Sequence, residues 1–503
     1  MSTREHDPRQ GLLNTLLTTP HRKLTALYPL HEEMIKTDPL FYVHLAAWYN
    51  ETGDVRDHKE MFVINLVLSH FPGHRDVGLA MLRKMPPYQV GRVYDFIKGT
   101  VRQRTVKPKE GDKTGKAKVV REKSGLFRNV PRSVKTEITR YLREREAKPK
   151  WFDRSVLQSR HTLKRLYASL HIKPSSRAQA ILFDDNPPPD SLSFALKQIA
   201  KAESPAEQAR AIVEYRIPYR IASTVIKQMT PMMLVALINN MSPQELINNI
   251  GSLKRHGAFD NEDIKGLVEE KLEQAKSGTR VSAYKAKVAA EAVGATGDLA
   301  AKLDAITEAQ VQAKGRITRS TAILIDKSGS MDVALEVGRQ LGAMISSICE
   351  ADLYAYAFDT VPYPILAKGK RLVDWEKAMM GIYATGATSC GVAIEWMRRK
   401  KQHVEQIVMV TDEMENRAPR FKDAYQAYAK EMNIHPAVIF VKIGQASNQL
   451  ETECVQLGVA ASAFEFRGDY YALPNVIPML TYPSMMEMVM EIMSHPLPER
   501  KKQ

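Results

Sequence analysis

A carboxylate and two hydroxyls stand at alternate positions in the last third of the chain. Asp326 ends the apolar run 322–325, and Ser328 and Ser330 follow with Gly329 between them. An apolar run before a polar turn predicts a buried parallel strand, and open α/β sheets bind their ligands at the carboxyl ends of such strands. One carboxylate and two hydroxyls at that edge suit a hard divalent cation such as Mg²⁺.

The residues from about 317 onward alternate between apolar runs and amphipathic stretches. The apolar runs predict strands, and the stretches between them predict helices. This alternation is typical of a doubly wound α/β domain with a mostly parallel sheet. The predicted strands are 321–326, 352–358, 406–411 and 437–443, and the predicted helices include 333–349, 391–401 and 420–432.

The chain up to about residue 310 is predicted to form one helix after another. Four residues with capping side chains each stand directly before a proline, which is the pattern that begins a helix. They are Asp38, Ser204, Thr230 and Ser242. Many short helices with brief connections favour stacked helical hairpins, an α-solenoid of the HEAT type. We expect two further helices in residues 277–316, as a linker into the last domain.

The net charge of +15 is concentrated in one stretch of the chain. Residues 98–173 contain 23 Lys or Arg and 7 Asp or Glu, so the remaining residues are nearly neutral in sum. Localised positive charge of this size indicates a polyanionic partner, most often nucleic acid, and the alternative is a solvated lysine-rich loop. Residues 103–129 are predicted to be a mobile basic insertion between helices. The helical stretch that follows carries Arg154, Arg160, Lys164 and Arg165.

Composition and cysteine usage limit the class of protein. The chain of 503 residues is 44% hydrophobic, which is ordinary for a globular protein, and no apolar run approaches the ~18 residues of a membrane span. The N-terminus is charged and lacks the apolar core of a secretion signal. Cys349, Cys390 and Cys454 are few and far apart, which favours buried thiols in a reducing cytosol. We therefore expect a cytoplasmic protein with no membrane partner.

Two later segments add to the first polar cluster. Thr388 lies in a loop of small residues before a predicted helix, and Asp412 follows directly on an apolar run. In this order, Asp326, Ser328, Ser330, Thr388 and Asp412 resemble the metal-ion-dependent adhesion site of von Willebrand factor A domains. The resemblance covers residues 317 to about 495. It implies three hydroxyls around a Mg²⁺ ion, with the two carboxylates close by or acting through water.

The chemistry implied by this resemblance is binding, without bond breaking. Two carboxylates leave Mg²⁺ with residual positive charge and an open position, which the Asp or Glu of a partner protein can fill. Lys327 departs from a neutral motif, and the alternation of the loop predicts that its side chain points outward. Glu413 is a candidate base, although a Glu at a strand end more often supports a site or faces solvent. We expect no enzymatic activity.

The helical half has a resemblance of its own. The segment His171-Ile172-Lys173-Pro174 is similar to a short segment of TROVE domains, which occur in Ro autoantigens and their bacterial relatives. The order of a helical domain (1–316) and an A domain (317–503) is the architecture of that family. The resemblance implies a ring of HEAT-like helices that binds small noncoding RNAs (Y RNAs) on a basic outer surface and takes single-stranded 3′ ends of misfolded RNAs in its central hole. It assigns His171 and Lys173 to the outer RNA surface.

These observations support a leading hypothesis and two alternatives. The first is a monomeric, noncatalytic RNA-binding ring protein that acts as a scaffold in RNA processing or decay, with Arg154, Arg160, Lys164 and Arg165 added to its RNA surface on charge and proximity. The second is a protein-binding module whose A domain serves an ATPase machine or an adhesion-like partner through the metal, with the helical region as its adaptor. An exoribonuclease is a further protein partner that we consider for the metal site. A metal-dependent nuclease is disfavoured because two carboxylates are few for a two-metal site.

Overall fold

The chain divides into two compact units. One unit comprises Pro20–Met241 with Ile492–Gln503, and we call it the helical unit; the other comprises Met1–Thr19 with Ser242–Glu491, and we call it the α/β unit. The structure is a computed structural model. It describes residues 16, 23–53, 55–106, 118–226, 228–278, 281, 286, 289, 298–313, 315–466, 468, 470–481 and 485–500.

The helical unit is built from short helices and one hairpin of strands. Helices that are close in sequence pack against one another, for example α3 on α4 and α5 on α7, as expected for stacked helical hairpins. The helices are α1 (Leu24–Thr37), α2 (Pro39–Thr52), α3 (Arg56–Leu68), α4 (His74–Lys84), α5 (Pro87–Lys98), α6 (Arg132–Glu146), α7 (Pro149–Ser169), α8 (Ser176–Leu182), α9 (Leu192–Lys201), α10 (Pro205–Tyr215), α11 (Tyr219–Val225) and α12 (Pro231–Asn240).

The predicted helix starts are confirmed by their capping geometry. The side chain of Asp38 accepts a hydrogen bond from the backbone N–H of Phe41, and a proline follows at the first helical position. Ser204, Thr230 and Ser242 accept the equivalent bonds from the N–H three residues on. Each cap satisfies a donor that the first helical turn leaves without a partner, which stabilises the helix by about 1 kcal/mol.

Residues 103–129 differ from the prediction of a mobile insertion. Strands β1 (Thr100–Val106) and β2 (Lys118–Ser124) pair antiparallel in a regular hairpin, and residues 107–117 between them lie outside the described part of the chain. Gly99 and Gly125 flank the hairpin with φ of 81° and 110°, which a residue with a side chain rarely adopts. The N–H groups of Leu126 and Arg128 then donate to carbonyls of α5 and anchor the return of the chain.

The C-terminal segment is part of the helical unit. The guanidinium of Arg500 donates to the carboxylates of Glu137 on α6 (2.9 Å) and Asp76 on α4 (3.1 Å). Glu137 is fully buried, so its charge needs a cation at this distance. A segment from the far end of the chain thus supplies a counter-ion for the interior of a unit built mostly from the first half.

The α/β unit contains a six-stranded mixed sheet with helices on both faces. Its strands are β3 (Thr321–Asp326), β4 (Leu353–Phe358), β5 (Pro362–Pro364), β6 (Gln406–Thr411), β7 (Ala437–Ile443) and β8 (Ala461–Phe466). Its helices are α13 (Pro243–Arg255), α14 (Glu262–Lys276), α15 (Asp298–Gln312), α16 (Asp332–Ile348), α17 (Leu372–Ala378), α18 (Val392–Arg399), α19 (Phe421–Met432), α20 (Gln449–Leu457), α21 (Ile477–Thr481) and α22 (Met485–Ser494), the last of which crosses the division between the units.

The sheet order is β5-β4-β3-β6-β7-β8, and only β5 runs antiparallel to its neighbour. The four predicted strands correspond to β3, β4, β6 and β7. Every residue of β3 and β6 is buried, which explains why their sequences are continuous apolar runs without alternation. Side chains of β3 alternate between two cores: Ile323 and Ile325 pack beneath α16, while Ala322 and Leu324 pack beneath α18 and α19.

The boundary between the units lies earlier than the predicted boundary at 316/317. The division falls at 241/242, so α13, α14 and α15 belong to the α/β unit. The reason is packing: Val311 of α15 is part of the core beneath α16, and the side-chain amide of Gln310 donates to the carbonyl of Gly278 just after α14. Of the two helices predicted in 277–316, α15 is confirmed, and most of the other lies outside the described residues. No helix among the described residues is long and apolar enough to cross a membrane.

Candidate cation site and basic groove

Three loops meet at the carboxyl edge of the central strands β3 and β6. The first follows β3, the second precedes α18, and the third follows β6. The N–H of Gly329 donates to the carbonyl of Gly386 (3.2 Å), and the N–H of Thr385 donates to the carbonyl of Lys327 (2.7 Å), which joins the first loop to the second. The N–H of Asn416 donates to the carbonyl of Thr388 (3.0 Å), which joins the second to the third. The loops that carry all five candidate ligands are therefore bonded to one another.

Asp326 is buried and held by two donors. Its Oδ1 accepts a hydrogen bond from the N–H of Ser328 (2.8 Å), and its Oδ2 accepts one from the hydroxyl of Thr411 on β6 (2.8 Å). Burial raises the pKa of Asp326; the bonds from Ser328 and Thr411 oppose that rise, and the nearby Asp412 carboxylate adds to it. A positive ion at this edge would relieve the cost of a buried negative charge.

Thr388 is held through its backbone, and Asp412 through its side chain. The N–H of Thr388 donates to the side-chain oxygen of Asn416 (3.1 Å), and Thr388 itself is buried. Asp412 is half-buried, and its Oδ1 accepts a bond from the N–H of Met414 (2.9 Å). The backbone of Thr388 is thus held, while its hydroxyl has no hydrogen-bond partner within the described part of the chain. Ser330 is exposed, and its hydroxyl is likewise available.

The donor set fits a hard cation by its chemistry. It offers two carboxylates and three hydroxyls, and oxygen donors of these kinds are the ligands that Mg²⁺ accepts. Among the described residues there is no cluster of three or more His, Cys, Asp or Glu that could hold a metal, so the alternative of a nitrogen, sulfur or acid-rich centre has no support in that part of the chain. Cys349, Cys390 and Cys454 are free and buried, as the sequence predicts.

Lys327 does not point outward, and that prediction is wrong. Its side chain is 6% exposed, and its ammonium lies 2.6 Å from Oδ2 of Asp359, the residue directly after β4. The Thr385 hydroxyl (3.1 Å) and the ring of Tyr363 (4.7 Å to its centroid) complete the surroundings. Burial alone would raise the pKa of Asp359, but the bonds from Lys327 and from the N–H of Val361 outweigh it and lower that pKa. Side chains alternate between the two faces of the sheet only as far as the end of β3 at Asp326. The alternation therefore does not predict the direction of the next side chain, that of Lys327.

Glu413 is neither a solvated strand-end acid nor an accessible base. It is buried, and its Oε1 lies 2.9 Å from the ammonium of Lys442 on β7. Its Oε2 accepts a hydrogen bond from the N–H of Leu450 at the start of α20 (3.1 Å). The hydroxyl of Ser447 donates to the carbonyl of Glu413 (3.0 Å) and the N–H of Ser447 to that of Asp412 (2.9 Å). These contacts hold the third loop in place, so Glu413 supports Asp412.

The six residues predicted to bind RNA are not equivalent in the structure. Arg154, His171 and Lys173 are exposed, and His171 has a φ of 53° just past the end of α7. Arg165 forms an ion pair with Asp95 (2.6 Å), and Arg160 forms one with Asp185 (3.3 Å). Lys164 is half-buried, with its ammonium 5.6 Å from the centroid of the Phe183 ring. Three of the six side chains are therefore accessible without breaking a contact.

A groove in the helical unit gathers positive charge that sequence analysis did not single out. Its volume is about 1140 Å³, and seven Lys or Arg and three Asp or Glu line it. Of the predicted residues, only Arg160 and Arg165 take part. The cationic lining residues are Lys23, Arg56, Arg92, Lys123, Arg160, Arg165 and Arg220, joined by His161. They come from four helices, the hairpin and the residue just before α1, so no local sequence pattern could have brought them together.

Part of this positive charge is not neutralised within the unit. Arg92 pairs with Asp57 (2.7 Å), and Lys23 pairs with Glu122 (3.3 Å). The exposed side chains of Lys123, His161 and Arg220 have neither ion pair nor hydrogen bond in the described part of the chain. The ring of Tyr88 is 48% exposed and lies 5.5 and 5.9 Å from the guanidinium carbons of Arg56 and Arg92. The groove thus combines cations with planar groups.

The fold defines a class of protein: a unit of stacked helices combined with an α/β unit that carries a polar site at its strand ends. Within this class, the crystal structure of the Deinococcus radiodurans Ro (RSR) protein is similar to this chain, with a TM-score of 0.63. The similarity covers 94% of this chain and 99% of that chain, at 14% sequence identity. It establishes the fold, and it agrees with the resemblance to Ro proteins that the sequence shows.

Two other solved structures overlap with a smaller part of the chain. They are proximal thread matrix protein 1 from the mussel byssus (TM-score 0.27, 13% identity, 34% of this chain and 48% of that chain) and BatB from Bacteroides thetaiotaomicron (TM-score 0.26, 15% identity, 34% and 99%). At these TM-scores neither contributes to the argument. No family model and no curated protein matches the sequence.

Proposed function

We propose that this protein binds RNA through the basic groove of its helical unit. The observation that carries the proposal is the pair of exposed cations without an ion pair, Lys123 and Arg220, which line a groove of about 1140 Å³ together with His161 and the exposed ring of Tyr88. Phosphates neutralise the cations, and unpaired bases stack on tyrosine or on guanidinium planes. The Ro-like fold supports this reading because Ro proteins are the RNA-binding family that the sequence resembles.

The resemblance also suggests which RNA and to what end. We propose a small structured noncoding RNA of the Y-RNA type as the ligand, and misfolded RNA with a single-stranded 3′ end as a second one. Arg154, His171 and Lys173 are exposed and would extend the contact beyond the groove. The protein would act without catalysis, as a cytoplasmic scaffold in RNA quality control that brings RNA to a processing enzyme. The ring of HEAT-like helices remains part of this proposal.

Charge reversal in the groove tests the proposal. The probe is a hairpin RNA with a single-stranded 3′ tail, and its affinity for the full chain is measured by fluorescence anisotropy at fixed salt. Lys123→Glu with Arg220→Glu is expected to weaken binding by about tenfold or more, because two phosphate contacts become repulsions. The matched control reverses Lys84 and Arg210, two exposed cations of the same unit outside the groove lining.

The control pair should change affinity much less. An equal loss of RNA affinity in the groove variant and in the control variant would mean that binding depends only on the overall charge of the protein. An unchanged affinity in the groove variant, with a loss in Arg154→Glu and Lys173→Glu, would move the RNA site to the exposed residues on and after α7.

A second candidate function belongs to the α/β unit, which we propose docks a protein partner through a bound cation. The observation in its favour is the network of backbone bonds that joins the loops of Asp326, Thr388 and Asp412. Mg²⁺ bound there would supply an electrophilic position for a carboxylate of the partner. Asp326, Ser328, Ser330, Thr388 and Asp412 would hold it, as in the A-domain site they resemble. The hydrogen bonds between the three loops would keep these ligands in place, so the loops need not move when the partner binds.

A further inference from the structure

Three neighbouring strands of the sheet, in the order β4-β3-β6, each lead into an aspartate. Asp326 ends β3, while Asp359 and Asp412 directly follow β4 and β6. Asp359 also touches the site loops, because its carbonyl accepts a hydrogen bond from the N–H of Ser389 (2.9 Å). The carboxylate of Asp359 is also close to the second loop, since a Cβ atom placed on Gly386 would lie 3.3 Å from its Oδ2. A third carboxylate therefore stands at the same edge as the two candidate cation ligands.

The third carboxylate is fully occupied by the chain itself. The ammonium of Lys327 lies 2.6 Å from its Oδ2, and the hydroxyl of Tyr363 donates to the same oxygen (3.4 Å). The N–H of Val361 donates to Oδ1 (2.8 Å). The side chains of Lys327 and Asp359 are 6% and 10% exposed, so water does not screen this pair. Lys327 is also within the loop that carries Ser328 and Ser330.

We propose that Lys327 is a positioning residue that sets the charge of the candidate cation site by keeping Asp359 out of the cation's ligand shell. The inference rests on the proposed docking function. A hard cation binds more tightly as more carboxylates join it, and each added carboxylate removes residual positive charge and an open position. With Asp359 neutralised by Lys327, the cation keeps two carboxylates and can still attract one from outside. Without Lys327, Asp359 would become a third carboxylate ligand. The site would then bind the cation more tightly but would offer no open position to a partner.

The proposal predicts an increase in cation affinity, which damage to the fold would not produce. Mg²⁺ binding to the full chain is measured by isothermal titration calorimetry, with circular dichroism to establish folding. Lys327→Met is expected to bind Mg²⁺ about tenfold more tightly or better, because a buried cation is removed and a carboxylate is released. The matched control, Lys327→Met with Asp359→Asn, removes both charges and should return to within about threefold of the natural chain.

A second variant guards against a Lys327→Met protein that fails to fold. Asp359→Asn leaves the ammonium of Lys327 without its carboxylate beside the site, so Mg²⁺ should bind several-fold more weakly than to the natural chain. Unchanged or weaker Mg²⁺ binding in a folded Lys327→Met protein, or unchanged binding in Asp359→Asn, would overturn the role of Lys327. A natural chain that takes up no Mg²⁺ would instead overturn the cation site itself.

Discussion

At the scale of single residues, Asp326 is the side chain on which the proposed cation site depends. Both of its carboxylate oxygens already accept hydrogen bonds, from Ser328 and from Thr411, so its orientation does not rely on a metal. A preorganised ligand of this kind costs little to order when the cation arrives. Its negative charge is buried, which makes the cation's contribution larger than it would be in water.

Removal of this carboxylate should abolish the response to the cation. In the natural chain we expect Mg²⁺ to raise the thermal unfolding midpoint, with a stabilisation of about 2.7 kcal/mol when Mg²⁺ exceeds its Kd a hundredfold. In Asp326→Ala the midpoint should no longer depend on Mg²⁺. Differential scanning calorimetry with and without the ion provides the measurement.

The exposed Asp423 on α19 offers a matched control, because Asp423→Ala removes the same charge from the same unit away from the three loops. This control should retain the Mg²⁺ response in full. A Mg²⁺ response that survives in Asp326→Ala would contradict the ligand set, whatever the absolute stability of that variant.

The candidate site also shows what sequence can and cannot predict for individual residues. The types and order of Asp326, Ser328, Thr388 and Asp412 suffice to place them on loops at one edge of the sheet, because parallel strands end together. The pairing of Lys327 with Asp359 could not be anticipated. It depends on the lateral register of β3 and β4, in which Asp326 lies opposite Phe358, and so on contacts between segments far apart in sequence.

At the scale of elements, strands with a strong apolar signal could be predicted and weaker ones could not. β3, β4, β6 and β7 follow from apolar runs. β5 is three residues long and contains two prolines, and β8 has a charged residue within six. The strands of the hairpin, β1 and β2, are rich in polar and basic residues, so their sequence resembles a solvated loop, although the backbones pair in a regular antiparallel register. The groove was missed because its cations are spread over separate elements.

The contact between α3 and α5 should make the helical unit sensitive to pH. Glu60 on α3 is fully buried, 3.0 Å from the guanidinium of Arg92 on α5. Burial raises the pKa of Glu60 to about 8; Arg92 lowers it and Asp57 raises it further. The folded state thus holds the Glu60 proton more tightly than the unfolded state does. The stability that the folded state gains from its protonated Glu60 is complete below about pH 4.5, and it is lost as the pH rises through about 8.

Replacement of this carboxyl by an amide removes the titration. Between pH 5 and about 9, the unfolding free energy of the natural chain should fall more steeply with pH than that of Glu60→Gln, by a few kcal/mol over the range. Urea unfolding at several pH values measures the two slopes. The exposed Glu33→Gln on α1 should follow the natural chain. Parallel curves for Glu60→Gln and the natural chain would show that Arg92 keeps Glu60 ionised.

At the scale of the whole molecule, charge is the property that most limits function. The chain carries +15, yet many of its cations are paired with carboxylates, and only the unpaired ones can release counterions from RNA. In the groove these are Lys123 and Arg220, and outside it Arg154 and Lys173 are exposed. The number of phosphates contacted should therefore be small compared with the net charge, and salt dependence can measure it.

We expect the logarithm of RNA affinity to fall linearly with the logarithm of salt concentration, with a slope of about −2 to −4 for contacts to three or four phosphates. Titrations of the tailed hairpin RNA in KCl give this slope, and Lys123→Glu with Arg220→Glu should reduce its magnitude by about 1 to 2, because two contacts are lost.

A blunt RNA duplex is the comparison ligand and should bind more weakly, since it offers no unpaired base to Tyr88. A flat plot would exclude a phosphate-dominated interface. A slope far steeper than −4, unaltered in the variant, would show that the diffuse charge of residues 98–173 binds RNA without the groove.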